Sequence, residues 1–226
     1  MRNNLKAMTG LLLTMMAMVL PVGQADAHAI NYALDKAGAG AVGWYYFTLG
    51  LEHIIPTGLD HILFIIALCL LNTRVKTIIW QATAFTLAHS ITLALSLKNV
   101  IHLPSEIVEP IIALSIVFIA IENLLFRELH AWRVLIVFVF GLVHGLGFAA
   151  SLNEIGLPPN KFLLSILFFN IGVELGQLIV ILLVYFTLIR PFGKKSYYYK
   201  RIVFPISIAI ALVAAYWTVE RVFLDS

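Results

Sequence analysis

Cysteine is nearly absent: Cys69 is the only one in 226 residues. No intramolecular disulfide can form and no thiolate zinc site can be built, and its place inside an apolar run marks it as a packing thiol. Charge is scarce as well. Lys, Arg, Asp and Glu together make up 12% of the chain, against about 25% in a soluble domain, while apolar residues make up 61%. With a mean hydropathy of +0.96, most of the chain has to face lipid or other helices. The net charge of +3 does not imply nucleic acid as a partner, because the basic residues sit in short loops and form no patch interleaved with aromatics. A Walker-type glycine loop is missing, so no energy-coupling domain is built in. No connection between apolar runs is long enough to be a second domain. What remains is an all-α, polytopic membrane helix bundle whose first partner is the lipid bilayer.

The N-terminus has the three parts of a secretory signal in order: Arg2 and Lys6, the apolar stretch Leu11 to Val22, then Ala25-Asp26-Ala27. Residues 1–27 are therefore expected to be a signal peptide, with His28 (or Ile30, if the cut falls after Ala29) as the mature terminus. An α-amine and an imidazole on one residue would then be a candidate chelate. Residues 28–56 form a lead-in whose Trp44-Tyr45-Tyr46-Phe47 cluster predicts an interfacial helix at headgroup level. Six spans follow within a single transmembrane domain at 28–226, roughly at 57–72, 77–97, 106–126, 132–152, 161–189 and 202–223. Nine basic residues fall in the loops 72–76, 127–133 and 190–201, and four (Lys36, Lys98, Lys161, Arg221) in the alternate segments. By the positive-inside rule this places both mature termini in the periplasm of a bacterial inner membrane.

Ionisable groups inside such spans are costly, and by default they are functional-site candidates. The stretch from His53 to His61 places two imidazoles and Asp60 where the chain enters its first strongly apolar run. Asp60 also fits a simpler role, since Thr57 three residues earlier makes it resemble a capping carboxylate at a helix start. That role leaves His53 and His61 unexplained, and Pro56 with Gly58 permits His53 to fold back over the same site. His89 lies mid-span in the second span. His144 lies mid-span in the fourth, on the small-residue face of Gly141 and Gly145, where a neighbouring helix can approach. Asn170, Glu174 and Gln177 form one polar stripe on the fifth. Glu109 and Glu122 mark the two ends of the third. Neutral imidazoles with carboxylates suit nickel, cobalt, zinc or iron. The expected metal residues are therefore His53, Asp60, His61, His89, His144 and Glu174, with Glu109, Glu122, Asn170 and Gln177 along a translocation path.

Gly58-Leu59-Asp60-His61, Phe85-Thr86-Leu87-Ala88-His89-Ser90, Val108-Glu109 through Glu122-Asn123, Phe140-Gly141-Leu142-Val143-His144-Gly145 and Phe169-Asn170 through Glu174 to Gln177 together resemble the HupE/UreJ family of small integral membrane proteins. The resemblance covers most of the mature chain. It implies a nickel or cobalt permease linked to a cytosolic metal-using enzyme system, with His53, Asp60, His61 and His144 as metal-binding or translocation residues. Phe140 and Gly147 stand where the nickel permeases of the family carry a His and a Glu, and six residues rather than five separate His53 from Asp60. In both respects the chain resembles the divergent second branch.

Two functions fit these residues. One is a permease for a divalent transition-metal ion. The other is an intramembrane zinc-dependent hydrolase acting on lipid or peptide, in which three histidines hold the metal, a nearby carboxylate activates water, and Ser90 or Ser115 assists. Glu122 and Glu174, continuing beyond the histidines, favour transport.

Overall fold

The computed structural model describes residues 34–224; the expected signal peptide and the His28 terminus lie outside the described residues. Among them the elements are helical: α1 (Ala39–Ile54), α2 (Leu59–Leu70), α3 (Val75–Leu97), α4 (Ser105–Leu125), α5 (Arg133–Ile155), α6 (Phe162–Val184) and α7 (Phe204–Phe223). Wider π-helical turns at Tyr185–Ile189 and Tyr199–Val203 extend α6 and lead into α7. α3, α4 and α5, together with the extended α6 and α7, are each long and apolar enough to cross a bilayer. The protein is a multi-pass membrane bundle.

The expected first span, 57–72, is too short to cross alone. α2 has 12 residues, about 18 Å at 1.5 Å each, against a hydrocarbon core of about 30 Å. α1 meets α2 at a bend of 66° across Ile55-Pro56-Thr57-Gly58, and the two together have the length and apolarity of one broken span or of a re-entrant loop. α1 thus belongs to the bundle instead of lying at the headgroups: Val42, Tyr46 and Ile54 are fully buried. It packs lengthwise and in parallel on α6, with Gly50 against Phe169, Gly172 against Phe47 and Gly176 against Ile54. A Cβ at Gly50 or Gly172 would run into the partner's backbone, so only glycine allows the two axes this approach. The aromatic cluster that predicted an interface is split between the two faces of the helix. Tyr46 points inward and donates to the Gly156 carbonyl at 2.7 Å, whereas Trp44 is 66% exposed.

α3 and α5 make a second parallel pair. Gly145 sits against the His89 carbonyl and the Thr92 hydroxyl, and that hydroxyl donates to Leu142 O at 2.7 Å. The Gly141/Gly145 face therefore receives a neighbouring helix, as its spacing predicts. α4 pairs with α7, and α2 sits between the pairs, chiefly against α4 and α6.

One end of the bundle, carrying Glu109, Gly156 and Arg221, is called here the Arg221 end. The other is tied by Arg133. This arginine, counted with the loop 127–133 at the edge of the expected span 132–152, opens α5 and is fully buried. Its Nε lies 3.3 Å from Glu122, and its guanidinium donates to Asn123 Oδ1 at 3.3 Å and Ala67 O at 3.4 Å. Asn123 donates to the same Ala67 carbonyl at 2.8 Å. The α4–α5 corner is thereby locked to the end of α2.

Candidate metal centre

The break between α1 and α2 brings His53, in the last turn of one helix, over His61, in the first turn of the next. Their ring centroids are 4.7 Å apart. His89 reaches the same point from the middle of α3, 6.0 Å from His53 and 6.2 Å from His61. One nitrogen from each of the three lies within 4.8 Å of the other two. On a tetrahedral ion with nitrogens at about 2.05 Å, ligands stand about 3.3 Å apart, so modest ring rotations would close the set. His144, from α5, adds a fourth imidazole with its ring 5.0 Å from His61.

What distinguishes these histidines is how many of their nitrogens lack a partner among the described residues. His53 Nε2, His61 Nε2, both nitrogens of His89 and Nδ1 of His144 are buried without a hydrogen bond. A buried polar atom left unpaired costs about 1–3 kcal/mol, and structural histidines normally have a partner. Phe148, at 3.9 Å from His53, and Phe85, at 4.9 Å from His144, supply apolar walls and no acceptor. The donor set consists of imidazole nitrogens beside aromatic walls, and it fits a borderline transition metal.

Asp60 is placed differently from its expected position among the ligands. α2 is preceded by Gly58 with no side-chain cap, and Thr57 turns back to the Glu52 carbonyl, so the Thr57 cap is not realised, although Asp60 does stand in the first turn of α2. The carboxylate instead accepts two hydrogen bonds from Arg221 of α7, at 2.9 and 3.2 Å. Arg221 also donates to the backbone carbonyl of Glu109 at 3.2 Å. This pair stands over a cavity of about 260 Å³ that reaches His53, His61 and His144. Asp60 and Glu109 are therefore at the mouth, and the histidines are at the floor.

Glu174 stays outside the histidine group among the described residues. It is half-buried and accepts the Thr83 hydroxyl at 2.6 Å, with its other oxygen unpaired. Asn170 lies beside His89, with its amide nitrogen on Ile166 O and its oxygen free. Gln177, 1% exposed, also keeps a free amide oxygen. This stripe runs from the histidines toward the Arg133 end. Glu122 terminates in the buried Arg133 pair rather than in the stripe.

Sequence reasoning missed Arg221, which counted only as a flanking charge. Arg133 counted as a loop charge toward which Glu122 could reach, and that contact is present, but buried. A cation one turn from the end of an apolar helix looks the same in sequence whether it snorkels or pairs across the bundle. His102 and His130 take no part in the cluster, and Cys69 is buried and free, as expected.

The family model described as "HupE / UreJ protein" matches residues 31–221. No curated protein and no solved structure matches the chain.

Proposed function

The chain belongs to the HupE/UreJ family, and from that premise we propose that it is a permease for a divalent transition-metal ion, nickel or cobalt, in a bacterial cytoplasmic membrane. The mature termini face the periplasm, and the ion passes inward to a cytosolic metal-using enzyme system. The family is associated with nickel and cobalt transport. The observation that carries the reading is the set of buried imidazole nitrogens with no partner among the described residues, gathered at the break between α1 and α2 and below an open cavity. Transporters commonly place substrate at such discontinuities, where the backbone is irregular because it lines a site.

The chemistry follows from the order of groups. A hydrated cation meets Asp60 and Glu109 at the mouth, where carboxylates can offset the cost of losing water. It exchanges the remaining water for His61, His53 and His89 nitrogens. Amide and carboxyl oxygens of Asn170, Glu174 and Gln177 then offer weaker stations toward the Arg133 end, since a conducting path needs sites that release as well as bind. The sequence holds no Walker-type loop, and the membrane potential, a proton or cytosolic capture supplies the direction.

The test is metal analysis of purified protein followed by uptake into metal-free proteoliposomes. Saturable nickel or cobalt flux, lost in His89→Ala, is the expected result. Tight stoichiometric zinc without flux overturns transport in favour of a metal-dependent hydrolase, to which the three-histidine floor is also suited.

A further inference from the structure

The Ser115 hydroxyl has one proton and makes two close contacts. Its Oγ stands 2.6 Å from the Ile112 carbonyl, one turn back on α4, and 3.0 Å from His144 Nε2 on α5. A carbonyl oxygen can only accept, so the contact at 2.6 Å uses the serine proton. Toward His144 the same oxygen is then an acceptor, and Nε2 has to be the protonated nitrogen. A neutral imidazole carries one proton, so Nδ1 bears the lone pair. The reverse assignment would leave two oxygen acceptors facing each other at 2.6 Å with no proton between them. Ser115 and His144 are each 1% exposed, so both contacts of the hydroxyl lie within the bundle.

That lone pair has nothing to bind among the described residues: Nδ1 is buried without a partner. Around the ring stand Phe85 at 4.9 Å, Phe64 at 5.6 Å and His61 at 5.0 Å. His144 lies outside the group formed by His53, His61 and His89, yet it lines the same cavity as Asp60 and Glu109. The geometry points to Ser115 as the positioning residue that fixes His144 as the Nε2–H tautomer and so holds Nδ1 ready as a separate nitrogen station for the cation, beside the group of His53, His61 and His89 and below the carboxylate mouth. His61, whose ring neighbours both His144 and His53, is the hand-over point. The station rests on the proposed transport of a metal ion; the tautomer does not.

Nitrogen-15 NMR of histidine-labelled, metal-free protein in nanodiscs reads the tautomer directly, with His144 assigned by its loss in His144→Gln. The expected spectrum has His144 protonated at Nε2 and bare at Nδ1. Adding cobalt(II) or zinc(II) should displace the Nδ1 resonance while Nε2–H persists. Ser115→Ala should mix the two tautomers and weaken metal binding by about 10–100-fold, the usual effect of removing a partner that orients a ligand. Ser115→Thr, which keeps the hydroxyl, should restore both. Wild-type His144 protonated at Nδ1 overturns the proposal without need of any variant, as does a tautomer unchanged in Ser115→Ala. Metal-induced shifts at His53, His61 and His89 with none at His144 overturn the station and leave transport standing. No shift at any histidine, with the tautomer as stated, overturns the transport reading and the station with it.

Discussion

Asp60 and Arg221 meet at the cavity mouth from opposite ends of the described chain, and their side chains are 24% and 18% exposed. At that exposure an ion pair contributes modestly, about 1 kcal/mol or less, so its value lies in what it covers. A guanidinium beside a cation path is unfavourable unless its charge is met, and the Asp60 carboxylate meets it. An arriving cation competes with Arg221 for the same two oxygens. The expected outcome for Asp60→Asn is therefore slow uptake with metal affinity at the floor little changed, whereas His89→Ala should lose affinity itself. Equilibrium metal binding and initial uptake rates on both variants separate the two. Equal losses of affinity would place Asp60 among the ligands. The histidines were legible in the sequence because an imidazole in an apolar run is conspicuous. The role of Arg221 was not, since nothing local to residues 217–224 indicates a partner 161 positions away.

At the scale of elements, the site depends on where α1 ends, and that is set by its contact with α6. Gly172 lies against the Phe47 backbone one turn from Gly176 and Ile54, and Ile54 follows His53 directly. Gly172→Val should force α1 outward at a cost of about 1–3 kcal/mol, as for other overpacked contacts. It should weaken metal binding although residue 172 touches no ligand. Thermal melting in nanodiscs together with metal titration checks this. A stable variant with wild-type affinity would mean that the break, rather than the glycine contact, positions His53. The helix periods, and the Gly141/Gly145 face, were readable from residue spacing. That 39–54 enters the bundle was not, because Trp44 to Phe47 carry the composition of an interface and only the pairing of Gly43 and Gly50 with α6 turns Tyr46 inward.

Across the whole molecule, crossing number and sidedness follow from one geometrical fact: α1 and α2 together supply the length that neither has alone. If the pair is one bent span, the segment before α1 and the loop after α2 lie on opposite sides of the membrane. If it is a re-entrant hairpin, they lie on the same side. The described segment before α1 holds Lys36 alone and the loop after α2 holds Arg74 and Lys76, which favours the bent span. So do the contacts. Lys161 donates to the Asp35 carbonyl at 2.6 Å before α1 begins, while the Leu70 carbonyl at the end of α2 accepts Tyr198 at 3.1 Å, beside the loop at the far end of α6. Replacement of Cys69, the sole and buried thiol, by alanine gives a background for single-cysteine labelling. In that background an impermeant maleimide applied to right-side-out vesicles should label Asp35→Cys and Val100→Cys. Arg74→Cys and Lys195→Cys should label only after the membrane is opened. Labelling of Arg74→Cys from the same side as Asp35→Cys would make the pair re-entrant, leave five crossings, and move the histidine floor to a hairpin that never reaches the opposite face.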